Sequence, residues 1–104
     1  MSDAAAVVPR RAAALTLASR AYCHLCDDML AALRPLAAAH GATIEVVDVD
    51  ADPALEAAWG DSVPALFLGA PAAGTLLCRY HLDAGRVEAA LDAAPALAPA
   101  PDFR

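Results

Sequence analysis

Two cysteines three positions apart, Cys23 and Cys26, are the residues of this chain best suited to chemistry. They stand in Tyr22-Cys23-His24-Leu25-Cys26, after the apolar run Ala14-Leu15-Thr16-Leu17-Ala18 and before a helical pattern that starts at Leu25. A strand that delivers a C-x-x-C to a helix N-terminus is a redox arrangement. The unpaired N–H groups and partial positive charge of a helix start favour a thiolate over a thiol, and the thiolate is the nucleophile. The second cysteine, one turn into the helix, can close a disulfide with the first. His24, as an imidazolium, would favour a neighbouring thiolate. The carboxylates of Asp27 and Asp28 oppose it, so the residues alone do not sign the shift at Cys23.

The third cysteine, Cys78, reads as a core residue, since free cysteine is among the most buried residue types. A second reading pairs Cys78-Arg79-Tyr80-His81, a C-x-x-H, with the C-x-x-C as a Cys₃His zinc set. Its two halves are 51 residues apart, far more than in a zinc finger. A period-two strand would also point Cys78 and Tyr80 away from the face of Arg79 and His81. No metal and no organic cofactor is therefore expected. Glu45, Asp48 and Asp50 read as a solvated strand end and loop, and Trp59 as a core anchor.

Several elements must position the dithiol. Leu15 to Ser19 reads as a short buried strand, and Arg20-Ala21-Tyr22 as the loop that ends at Cys23. A helix from His24 to about His40 lines up Leu25, Met29, Leu33, Leu36 and His40 on one face, and Gly41 ends it. Thr43 to Val49 alternates, is rich in β-branched residues and reads as a second strand. Asp52 suits an N-cap and Pro53 the first turn of a helix that runs through Trp59 to Gly60. Asp61-Ser62-Val63-Pro64 is a loop, Ala65 to Leu68 a third strand, Gly69 to Gly74 a hairpin turn and Thr75 to Tyr80 a fourth strand. Asp83 caps a last helix that ends near Ala94, with Leu82 and Val87 as its hydrophobic staple. The βαβ start demands a parallel pair, and the tight third connection an antiparallel one.

The chain has 104 residues, enough for one domain with one core, here residues 14–94. Residues 1–13 read as a flexible arm and 95–104, with three prolines, as a disordered tail. The apolar fraction of 60% is mostly alanine, so it overstates core-forming power. The formal charge of −6, with no lysine, argues against a nucleic-acid partner. No basic amphipathic helix points to a membrane surface. One close cysteine pair plus an odd cysteine, without a convincing signal peptide, reads as a cytoplasmic protein.

In order and spacing, the chain resembles the thioredoxin superfamily, and within it the small bacterial glutaredoxin-like proteins. Four features carry the resemblance: the C-x-x-C after the first strand, the strand end Glu45-Val-Val-Asp-Val-Asp50, the step Ser62-Val63-Pro64 before the third strand, and Asp83 at the last helix. The resemblance covers Leu15 to about Ala94. It implies a thioredoxin-like α/β fold, βαβαββα, with a four-stranded mixed sheet flanked by helices. It implies a thiol–disulfide oxidoreductase in which Cys23 attacks and Cys26 resolves, with a cis peptide bond at Pro64. Arg20 matches a basic residue that helps hold glutathione, and Asp83 a polar cap that does likewise. Tyr22, His24, Val63, Pro64 and His81 complete the implied substrate groove. The substrate would be a disulfide-containing protein or a small thiol, and the reductant a thioredoxin system or glutathione. The alternative function is a non-catalytic binding or metal-carrying module on the same fold. Glutaredoxins usually carry Pro-Tyr between the cysteines, where this chain has His24-Leu25. They carry Gly-Gly before the last helix, where it has Tyr80-His81. Bulky residues there predict weak glutathione recognition.

Overall fold

The computed structural model describes residues 13–93. Its elements follow in the order β1 (Ala14–Ser19), α1 (His24–Ala39), β2 (Thr43–Asp48), α2 (Pro53–Trp59), β3 (Ala65–Leu68), β4 (Thr75–Arg79) and α3 (Ala84–Ala93), with short 3₁₀ turns before and after α2. The four strands form one mixed sheet in the order β2-β1-β3-β4. β1 pairs with β2 in parallel and with β3 antiparallel, and β3 pairs with β4 antiparallel. This is the βαβαββα arrangement the sequence predicts. The expected arm and tail fall outside the described residues except at Ala13, whose carbonyl accepts the Thr43 N–H at 2.9 Å and so belongs to the sheet.

Each face of the sheet holds a core. Leu15, Leu17 and Leu66 meet Met29 and Leu33 of α1 and Val87 and Leu91 of α3. Ala18, Ala65 and Phe67 form the opposite face with Val49, and Leu55 and Trp59 of α2 pack against it. The Trp59 ring meets Phe67 edge-on, with centroids 4.9 Å apart, so Trp59 is the anchor its type suggests. The central strand β1 is buried on both faces from Leu15 to Ala18, which explains why it is apolar there except for the buried Thr16.

The helix starts are local events. Asp52 Oδ1 accepts the N–H groups of Ala54 and Leu55, with Pro53 in the first turn. Asp83 Oδ1 accepts the Arg86 N–H at 3.1 Å and caps α3.

Two expectations need correction. The buried face of α1 carries Cys26, Met29, Leu33 and Ala37, and Leu25 is exposed. At about 100° per residue, Leu25 lies roughly 80° from Leu33 around the axis and Cys26 only about 20°. The buried stripe is therefore rotated by roughly 45° around the axis from the one expected. The fourth strand ends at Arg79, one residue early. A register shift lets Leu66 face Cys78 and Phe67 face Leu76, leaving Leu77 as the extra residue of a bulge. Tyr80 follows with φ of 67°, so period-two alternation does not extend to Tyr80 and His81. Among the described residues, no helix is long and apolar enough to cross a membrane.

Candidate active site

The dithiol sits where β1 ends. Past Ser19 the chain turns through Tyr22, which takes φ of 58° and leaves its ring fully exposed. The turn brings Cys23 to the N-cap of α1 with extended backbone, φ −114° and ψ 106°. Cys23 Sγ accepts the Cys26 N–H at 3.1 Å, and its carbonyl accepts the Asp27 N–H at 3.0 Å. A sulfur thus takes the place of the usual capping oxygen on a free helix N–H. Cys23 and Cys26 are joined as a disulfide, with Cα atoms 5.2 Å apart, inside the range such a bond requires. Cys23 is partly exposed, whereas Cys26 is 1% exposed. One sulfur can meet an outside partner and the other cannot. His24 and Leu25, the two intervening residues, are both exposed.

The second wall comes from the loop before β3. The Val63–Pro64 peptide bond is cis, and Pro64 is fully buried. β3 lies beside β1 with Ala65 opposite Ala18, so Pro64 stands at the sheet end from which the dithiol loop emerges. The Pro64 carbonyl accepts the Tyr80 N–H at 2.8 Å. Tyr80 Oη donates to the Asp61 carbonyl at 3.0 Å, and the Arg79 guanidinium lies 5.9 Å from the Tyr80 ring centre. The ring thus reaches back to the loop that leads into the cis-proline. His81 is exposed and donates its N–H to the Arg79 carbonyl. Val63 is half-buried against the α2-side core.

Arg20 is more engaged than its sequence position suggests. Its Nε and Nη2 donate to the two carboxylate oxygens of Asp50 at 3.3 and 2.9 Å, and Nη1 donates to the Gly60 carbonyl at 3.1 Å. Glu56 Oε2 is a further 3.5 Å from Nη2. The Asp50 hydrogen bond, and the charges of Asp50 and Glu56, raise the Arg20 pKa above its already high ordinary value. Asp50 is therefore not merely part of a solvated strand end. Sequence reasoning missed Asp50, Glu56 and Gly60 because they lie 30 to 40 residues from Arg20 and form no local motif. Asp48, by contrast, caps the 3₁₀ turn through the Asp50 N–H.

Cys78 stands apart from the pair. It is half-buried on the α1–α3 face, and burial pushes its thiol up, opposed by the Asp83 backbone and Arg86 and assisted by the Asp83 carboxylate. Among the described residues, no group of three or more His, Cys, Asp or Glu is placed to hold a metal ion. The two halves of the Cys₃His set are thus not brought together. The α2 face also carries an apolar groove of about 530 Å³, lined by Val47, Leu55, Trp59 and Pro71 among others, with neither cysteine in its wall.

Comparison with known proteins agrees with this geometry. The glutaredoxin-like domain (DUF836) matches residues 14–92. A structural-genomics target protein from X. campestris is 44% identical, with 78% of this chain and 99% of that chain covered and a TM-score of 0.58. A protein from Nitrosomonas europaea is 32% identical over 80% of this chain and 95% of that one, with a TM-score of 0.66. Thioredoxin 1 from Thermosipho africanus, at 20% identity and a TM-score of 0.54 over 76% of this chain and 94% of that one, shares the fold. No curated protein matches the chain. With a family match over most of its length, a thioredoxin-like sheet and a paired C-x-x-C at a helix start, this chain belongs to the glutaredoxin-like domain family.

Proposed function

We propose that the protein is a thiol–disulfide oxidoreductase in which Cys23 is the nucleophile and Cys26 the resolving thiol. The observation that carries this reading is the asymmetry of the pair: a partly exposed Cys23 sulfur at the α1 N-cap, and a buried Cys26 one turn inside. In the reduced protein, the Cys23 thiolate attacks one sulfur of a substrate disulfide. A Cys23–substrate disulfide forms and one substrate thiolate leaves. Cys26, after losing its proton, then attacks Cys23 Sγ. The second substrate thiolate leaves, and the Cys23–Cys26 disulfide remains. Two electrons have passed from the dithiol to the substrate, and an external thiol reductant returns them. The helix-terminal N–H groups support the Cys23 thiolate in both steps.

Glutathione is a poor fit as that reductant. Tyr80 and His81 stand where the resemblance to glutaredoxins implies a Gly-Gly pair, and the Tyr80 ring is fastened to the Asp61 carbonyl beside Pro64. The loss of two or three hydrogen bonds of roughly 1 kcal/mol each would weaken binding by tens to hundreds of fold. A thioredoxin-type dithiol donor, in a reducing cytoplasmic setting, suits the site better.

The test is substitution of each cysteine. Cys23→Ser abolishes disulfide reduction, and Cys26→Ser accumulates mixed disulfides that mass spectrometry maps to Cys23. If both variants keep turnover, the assignment is wrong. A dominant Cys78 crosslink in the oxidised protein would equally overturn it.

A further inference from the structure

We propose that Arg20 is a positioning residue that locks the dithiol loop onto the segment delivering the cis-proline, and that its guanidinium is not available to a substrate anion. This inference rests on the oxidoreductase reading. It reassigns the one cation that the sequence offers as an anion ligand.

The argument starts from chain order. Arg20 is the first residue past β1 and lies three before Cys23. Gly60 lies four before Pro64, and Asp50 two past the end of β2. Three loops that share no local sequence thus meet at one guanidinium. Each of its three nitrogens has an oxygen partner: the two Asp50 oxygens form a side-on pair, and the Gly60 carbonyl takes the third. A planar fork with fixed donor directions matches such a set, and an ammonium does not. Gly60 is buried, and a Cβ built on it would run into the Glu56 carboxylate, so Glu56 is folded back over this junction. The Gly60 end of the contact is buried, while the Arg20, Asp50 and Glu56 side chains stay partly open to water at 32%, 53% and 49% exposure, so the junction is held by its donor geometry rather than by burial.

Charge points the same way. Arg20 faces Asp50 and Glu56, one cation against two carboxylates. An approaching carboxylate, such as either end of a glutathione, meets two negative charges already placed on the guanidinium and competes with them for it. What the cluster does supply is geometry. It ties the Cys23 loop to the loop that ends at Pro64, and loss of such alignment slows a bimolecular attack on any disulfide, whatever its charge.

Two substitutions separate the roles. Arg20→Lys keeps the charge and loses the fork, whereas Asp50→Asn keeps the arginine but removes one acceptor oxygen and the negative charge of the side-on pair. Reduction is measured with three disulfides: anionic glutathione disulfide, neutral hydroxyethyl disulfide and cationic cystamine. Both variants should lower kcat/KM for all three in parallel, by about 3- to 10-fold per folded molecule. Far-UV circular dichroism and thermal unfolding report the folded fraction. Wild-type rates in folded Arg20→Lys overturn the proposal. So does an Asp50→Asn protein that gains activity selectively on the anionic substrate, since that would mark Arg20 as a released anion ligand. If wild type reduces none of the three disulfides, the oxidoreductase reading fails, and the clamp is judged by iodoacetamide alkylation of Cys23 against pH. A clamp moves the Cys23 rate in the same direction in both variants. A purely electrostatic Arg20 leaves Arg20→Lys like wild type and speeds Asp50→Asn.

Discussion

Replacing Tyr80 by glycine should turn a poor glutathione site into a better one at little cost in stability. Several effects oppose one another in the fold. Tyr80 sits at φ of 67°, where a Cβ costs about 1–2 kcal/mol that glycine does not incur. Against this stands the greater chain entropy that glycine loses on folding, about 0.5–1 kcal/mol. The exposed Tyr80 Oη–Asp61 hydrogen bond adds about 0.5 kcal/mol. Tyr80 as a residue is 40% exposed, so burying the rest is worth about 1–2 kcal/mol. The net loss lies between about zero and 2.5 kcal/mol, which a domain stable by about 5 kcal/mol or more survives. Binding should change more. Opening the space over the Asp61–Pro64 loop lets a tripeptide backbone approach. Two recovered hydrogen bonds of about 1 kcal/mol each raise affinity by roughly 30-fold. The assay is titration of reduced protein with glutathione by NMR, paired with glutathione-driven disulfide reduction, for wild type and Tyr80→Gly. A folded variant that binds glutathione no more tightly than wild type refutes the reasoning. Micromolar binding by wild type itself would refute the premise.

Other consequences are sharper in stability than in activity. Leu33→Ala removes a fully buried side chain from the α1–sheet core and should cost about 2–5 kcal/mol by urea denaturation; a loss under about 1 kcal/mol would show the core to be softer than its packing indicates. Asp52→Ala strips two N–H groups of their acceptor and should cost about 1 kcal/mol, with Asp52→Asn recovering most of it in the same melts. Cys78, held protonated mainly by burial, should alkylate more slowly than a free thiol at pH 8 in the folded protein, and mass spectrometry of the labelled protein checks this directly. The sign for stability follows: with a folded pKa above the unfolded value of about 8.5, the Cys78 contribution is intact below that pH and declines as pH rises toward the folded pKa. Cys78→Ala should flatten that alkaline decline, and an unchanged slope in pH-dependent melts would remove Cys78 as its source.

Short-range chemistry made much of this protein legible in its sequence. Cys23 and Cys26 announce themselves because a dithiol needs only three positions and a helix start. Asp52-Pro53 and Asp83 mark helix starts because a cap is a contact between near neighbours. The alternation of Thr43 to Val49 and the glycines at 69 and 74 mark a strand, which ends at Asp48, and a turn for the same reason. What escaped was decided by long-range placement. Whether Leu25 or Cys26 faces the core depends on how α1 is rotated against the sheet, and a margin residue of an amphipathic stripe can fall to either side. The bulge at Leu77 depends on how β4 meets β3, and it breaks the alternation from which the faces of Cys78 and Tyr80 would otherwise follow. By resemblance Arg20 matches a residue that helps hold glutathione, and only the sheet order brings Asp50 and Gly60 beside it. A side chain that can reach any of several loops finds its partner only once strand order and packing have brought those loops together. The dithiol could therefore be read from the chain, and the cis peptide bond at Pro64 from the resemblance, whereas the contacts of Arg20 with Asp50 and Gly60 could not.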